Sequence, residues 1–138
     1  MKALLLHANK FATKIVEKST KPIGIEPEKR KSQNEQMKEC LICFFTVEKN
    51  DTKDQINNFY NEIIKTAKEL DTKNIMIAPF VHLSNNIASP SVAKDFYADL
   101  MNKFSGSDYK IASSHFGYHK SLLLDIKGHP GSFRYREF

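Results

Sequence analysis

The sequence predicts an α/β (α+β) domain in which one mixed β-sheet carries two amphipathic helices. Three observations carry this prediction. Glu39 to Glu48 is a near-continuous apolar run of β-forming residues, as expected of a central strand covered on both faces. Two later segments repeat apolar residues every three or four positions, the period of a helix with one buried stripe. The elements then fall in the order strands, helix, strand, helix, strands, with no internal repeat.

At 138 residues, with 41% hydrophobic and 27% charged residues, the chain reads as a single domain over 1–138. A chain of this size buries roughly 68–70% of its unfolded surface and needs no staple.

Lys2 to Ala8 is a short apolar strand, and Phe11 to Val16 is expected to pair with it as a hairpin through Asn9-Lys10. Glu17 to Lys38 turns polar and is punctuated by Pro22, Gly24 and Pro27. It predicts an exposed excursion of ~20 residues, longer than compact domains usually carry without a reason. Its basic triplet Lys29-Arg30-Lys31 would suit a phosphate backbone, but a solvated loop is the expected reading. In the central strand Cys40 and Cys43 stand three apart, which in a strand sends them to opposite faces, so buried structural thiols are expected rather than a redox or zinc pair.

Asp51 to Leu70 is a helix capped by Asp51 or Thr52, with Ile56, Phe59, Ile63, Ala67 and Leu70 as its apolar stripe. A buried strand, Ile75 to Phe80, follows and opens into a polar loop carrying His82 and Ser84. The next helix begins at Ser89-Pro90, with Val92, Phe96, Leu100 and Phe104 as its stripe and Gly106 at its end. A strand that delivers a histidine to a loop ending at a helix N-terminus is where α/β domains place ligands. Tyr109 to Ser113 and Lys120 to Lys127 are the last strands, with Phe116-Gly117 as the bend between them. Only Ser132 to Phe138 follow Gly128-His129-Pro130-Gly131, which reads as one domain of something longer.

Composition narrows the chemistry. Twenty-one basic against 16 acidic residues give a net charge of +5, a mild bias towards a polyanionic partner. The apolar run Met1 to His7 is too short for a signal-peptide core or a membrane span, and two cysteines fit a reducing cytoplasm. Phosphate loops of the Walker type, G-x-G-x-x-G, G-x-S-x-G and H-E-x-x-H are all absent from the sequence. His115 and His119 are separated by Gly117 and lack an acidic residue at ligand spacing, so no metal and no cofactor is expected. Hydrolysis of an already activated substrate remains, because positioning and charge stabilisation then carry most of the rate. Lys120 is the candidate: it begins an otherwise apolar strand after a glycine-bent turn, either projecting its ammonium into a cleft or starting a strand at the surface.

Pro79-Phe80-Val81-His82-Leu83-Ser84 with Pro90-Ser91, Phe116-Gly117-Tyr118-His119-Lys120, and Lys127-Gly128-His129-Pro130 stand in the order and spacing of one family. Together with the first strand ending in His7 and Thr46-Val47-Glu48-Lys49, they resemble the N-terminal editing domain of archaeal threonyl-tRNA synthetases over essentially the whole chain. The resemblance implies a fold similar to D-aminoacyl-tRNA deacylases and removal of L-serine mischarged on tRNA(Thr), with the 2′-hydroxyl of the terminal adenosine assisting. By position it gives Lys120 and His82 catalytic roles. It makes Val47, Pro79, Phe80, Val81, Phe116, Gly117 and Tyr118 the contacts to adenosine and amino acid. It further implies a homodimer, and action with the rest of a synthetase in cis or in trans. A tRNA 3′-end binding module without turnover and a broader D-aminoacyl-tRNA deacylase are the alternatives. The sequence departs from the family at Ala8-Asn9, Val81, His119 and Phe133. Val81 replaces a smaller alanine and is expected to tighten the pocket; Phe133 replaces a glutamate expected near Lys120.

Overall fold

The computed structural model describes residues 1–29 and 32–138. Its elements are strands β1 (Lys2–Lys18) and β2 (Asn34–Thr46), helix α1 (Lys53–Glu69), strand β3 (Asn74–Pro79), a 3₁₀ turn at Val81–Leu83, helix α2 (Pro90–Lys103), and strands β4 (Lys110–Ser113), β5 (Tyr118–Ile126) and β6 (Phe133–Glu137). The sheet runs β4-β3-β2-β1-β5, with β6 also paired to β1. β2, β3 and β4 are mutually parallel, while β1 is antiparallel to β2, β5 and β6. This is the mixed sheet with two helices that the patterns predict.

β2 is central, and its apolar run is covered on both faces. Leu41, Cys43 and Phe45 face α1 and α2, where Ile56, Phe59, Ile63 and Ala67 of α1 meet Tyr97 and Leu100 of α2. Cys40, Ile42 and Phe44 pack on the other face with Leu6, Phe11, Met76 and Ala78. The two thiols are therefore free, buried and on opposite faces, and burial raises both pKa values, that of Cys40 to about 11.

Thr52 caps α1 in a reciprocal box with Gln55. The α2 face differs from its sequence reading. Leu100 and Phe104 of the expected stripe are buried and Phe96 packs against the core, whereas Val92 is 40% exposed and Tyr97 is buried in addition, because the helix also turns its tyrosine towards the sheet.

The N-terminal hairpin is corrected. β1 is one strand of 17 residues, and neither Asn9 nor Lys10 takes the positive φ that a two-residue hairpin turn needs. Asn9 is instead absorbed as a bulge, a register shift between Ala8 and Lys10 against β5, and its amide donates to Asp125 Oδ1 at 3.1 Å. The bulge explains why Leu6, Ala8 and Phe11 share one face despite their uneven spacing.

β6 is a further strand. Phe133-Arg134-Tyr135-Arg136-Glu137 alternates with period two, but the side turned to α1 is charged: Arg136 Nε lies 2.7 Å from Glu62 and Arg134 pairs with Glu69. The joint between β5 and β6 clips onto the middle of β1, where His7 N–H donates to Ser132 O at 3.0 Å and Lys127 N–H to His7 O at 2.9 Å. His7 Nδ1 and His129 Nε2 meet there at 2.8 Å. Strand extension at both ends shortens the polar excursion to the loop between β1 and β2, of which 19–29 and 32–33 are described; Arg30 and Lys31 of the basic triplet lie outside the described residues.

Candidate functional site

Parallel strands β2 and β3 end side by side, and the segments that follow them pair through Glu48 and Ile87, just before the N-terminus of α2. A cavity of about 330 Å³ opens at this point, the crevice at strand ends where open sheets take ligands. Val47, Pro79, Phe80, Val81, His82, Phe116, Gly117, Tyr118 and Lys120 all line it, so sequence positions from 47 to 120 converge on one site.

The far wall is fixed by β2. Thr46 Oγ donates to Phe80 O and accepts from Leu83 N–H at 3.3 Å, which pins the 3₁₀ turn carrying His82. Ser84 donates to Glu48, and Ala88 N–H bonds Val47 O at 2.9 Å. Partial burial works against charge on Glu48, but Ser84, the Met1 ammonium and Lys2 together hold its pKa below the usual value. Ser84 thus anchors the loop. His82 itself is exposed, has no hydrogen-bond partner among the described residues, and packs edge-on against Phe80 with ring centres 5.0 Å apart.

The near wall is the segment from Ser113 to Lys120. His115 at φ 65° and Gly117 at φ 83° both take left-handed backbone, which folds the chain back from β4 into β5. Lys120 Nζ donates to His115 O at 2.6 Å and to Ser114 Oγ at 3.3 Å. Two of its three donors are engaged. Burial lowers its pKa to about 8, against an opposing pull from Glu28.

Sequence reasoning missed the third wall. Ser19, Lys21, Pro22 and Ile25 of the loop after β1 line the cavity, and this loop is a strap rather than a free excursion. Ser19 N–H bonds Gly117 O at 2.9 Å, Glu28 N–H bonds Phe116 O at 3.2 Å, and Tyr118 OH donates to Glu28 O at 2.7 Å. The abnormal loop length was the available signal. Ile87 and Ala88, just before α2, and Pro90 and Ala93 in its first turn also line the cavity.

Phe133, expected near Lys120 in place of a carboxylate, lies outside the cavity lining: it sits on β6 opposite Leu6 and is 66% exposed. The Lys127-Gly128-His129-Pro130 motif likewise lines no part of the cavity and belongs to the β5–β6 joint. Among the described residues no group of three or more His, Cys, Asp or Glu side chains is placed to hold a metal.

Fold and cavity define a small α+β domain with an apolar cleft at its strand ends and a half-buried lysine, Lys120, in the cleft wall. Residues 1–138 match the model of the archaea-specific editing domain of threonyl-tRNA synthetase, and the chain belongs to that family of aminoacyl-tRNA deacylase domains. It is 37% identical over 133 residues to a threonine–tRNA ligase of Methanococcus maripaludis and 34% identical over 134 residues to that of Pyrococcus furiosus, each match covering 94% of this chain. The chain spans about a fifth of these relatives' length (20% and 21%). In fold it is similar to the c-Myc DNA Unwinding Element Binding Protein, with a TM-score of 0.73 at 12% identity, covering 100% of this chain and 99% of that one.

Proposed function

We propose that this domain hydrolyses the ester of L-seryl-tRNA(Thr), removing mischarged serine while sparing threonyl-tRNA(Thr). The observation that carries the reading is the lining of the cavity. Among the described residues it holds no Asp, Glu or Cys, and its polar groups are Lys120, His82, a few others and backbone. Such a site suits an activated ester whose own vicinal 2′-hydroxyl assists attack by water, the protein supplying position and a cation for the developing oxyanion. Lys120, with one donor unspent, takes the cation's role, and His82 orients water or substrate from the opposite wall. Val47, Pro79, Phe80 and Val81 with Phe116, Gly117 and Tyr118 hold adenosine and the amino acid.

Threonine and serine differ by one methyl, worth about 1–3 kcal/mol in a pocket, so a synthetic site alone discriminates weakly. A second pocket that crowds out the methyl completes the sieve, and Val81 supports that reading by standing in the wall.

The partners that follow are the 3′-end of tRNA(Thr), the remainder of a threonyl-tRNA synthetase in cis or in trans, and a second copy of this chain, all in the cytoplasm. The homodimer is supported by β5, a terminal strand of the sheet that exposes Leu122, Leu123 and Leu124 at 40%, 52% and 42%. No described helix is long and apolar enough to cross a membrane.

The substrate-assisted step is tested with seryl-tRNA(Thr) ending in adenosine or in 2′-deoxyadenosine, the ester on the 3′-oxygen in both. Serine release confined to the first is expected. Equal rates would remove the 2′-hydroxyl from the mechanism.

A further inference from the structure

The peptide group between His115 and Phe116 is held at both ends by opposite charges. Its oxygen accepts from Lys120 Nζ at 2.6 Å, and its N–H donates to Glu28 Oε1 at 3.0 Å. Because the peptide is planar and trans, oxygen and hydrogen point in opposite directions. Ammonium, peptide dipole and carboxylate therefore stand in line, each charge beside the dipole end that favours it. The peptide follows a left-handed residue, His115 at φ 65°, a conformation that holds only where the surroundings over-determine it.

Glu28 is itself well tethered. Tyr97 OH donates to the same Oε1 at 3.3 Å, and the Glu28 backbone is bonded to Phe116 O and by Tyr118 OH. Lys120, by contrast, forms no direct ion pair among the described residues. The other ionisable side chains around it are Lys21 of the strap, His82 and His119 on the cavity wall, and Tyr97 and Tyr118 beside Glu28. Glu35 on β2 reaches His115 Nε2 at 3.9 Å, and Glu17 on β1 lies opposite His119. Glu28 is the acid joined to Lys120 through a single peptide group, and its charge opposes the lowering of the lysine's pKa by burial.

We propose that Glu28 is a positioning residue for the editing site, clamping the His115–Phe116 peptide against Lys120 and placing a carboxylate at the far end of the same peptide from the ammonium. The strap is thereby a working part of the site. The role in turnover rests on the function proposed above; the clamp itself does not.

The test is a ¹³C NMR titration of Lys120 in the full 138-residue chain, beside single-turnover serine release across pH. Glu28→Gln keeps an oxygen acceptor for Phe116 N–H and removes only the charge. Lys120 is expected to titrate below its value of about 8 by about one unit. At pH 7.5 such a shift cuts the ammonium fraction about threefold, and the pH dependence of serine release moves down with it while the substrate concentration for half-saturation stays put. Lys120 titrating identically in both proteins overturns the proposal. The Phe116 amide proton should resonate at lower field in the unsubstituted chain than in Glu28→Gln, as a charge-assisted bond to a carboxylate does, and an unshifted amide would also overturn it. A chain inactive on seryl-tRNA(Thr) that still shows both NMR effects refutes the proposed function and supports the clamp.

Discussion

A Cβ placed on Gly117 would stand 2.6 Å from the Cα of Pro27. The strap and the near wall of the cavity therefore meet backbone to backbone, at a separation that only glycine permits, and at a φ of 83° that glycine alone adopts freely. The loop after β1 is locked to the site through this one contact and the hydrogen bonds beside it.

Gly117→Ala adds both a strained left-handed residue and a clash with backbone that cannot swing aside. We expect it to lower unfolding free energy in urea by about 2 kcal/mol or more and to slow serine release further by displacing the strap. An unchanged urea midpoint would show that the strap yields freely.

Burial lowers the pKa of Lys120 to about 8 from 10.5, and the sign of the stability effect follows. Below about pH 8 both folded and unfolded chains carry the proton, and the fold bears the full cost of burying the charge. Between about 8 and 10.5 the unfolded chain binds more protons, so this group's contribution to stability rises with pH and is complete above 10.5. Lys120→Met should abolish most serine release, by on the order of 100-fold. It should also stabilise the fold at pH 7 by up to about 3 kcal/mol, an advantage that shrinks above pH 8. Urea melts at pH 7 and 10 check this; a variant less stable at pH 7 would mean that the Lys120 hydrogen bonds outweigh desolvation.

His82 is exposed and bonded to nothing in the described chain, so His82→Ala should leave the melting temperature within about 1 °C while lowering the rate of serine release. A stability loss would assign it a structural role.

Val81→Ala enlarges the cavity by the volume of two methyl groups, and on the proposed reading this wall faces the amino acid. We expect threonine release to rise about tenfold or more, with serine release little changed. Unaltered sparing of threonine would move discrimination to another wall.

Leu123→Lys places a charge in the exposed leucine run of β5. If that run joins two copies, sedimentation should show the dimer falling to monomer with the fold intact. An unshifted dimer would place the interface elsewhere.

Local chemistry made much of this fold legible. The continuous apolar run around Cys40 and Cys43 announces a doubly covered strand, and Ser89-Pro90 announces the start of α2. The misreadings share a physical cause, since each depends on contacts distant in sequence. Asn9 resembles a turn residue, but pairing with β5 makes it a bulge. β6 is hidden because its inward positions are arginines, neutralised by Glu62 and Glu69 of α1. The cavity residues from β3 and β5 could be found because motif and spacing marked them. Glu28 could not, since nothing local distinguishes it from other acidic residues in a polar loop; only the chain's return across Gly117 brings it to Lys120.

The most direct measurement is single-turnover deacylation of Ser-tRNA(Thr) and Thr-tRNA(Thr) by this chain, against spontaneous ester hydrolysis. The account predicts serine release well above the spontaneous rate, with threonine retained. Release of neither, or of both at equal rates, would contradict it, the first leaving a tRNA-binding module and the second a deacylase without a sieve.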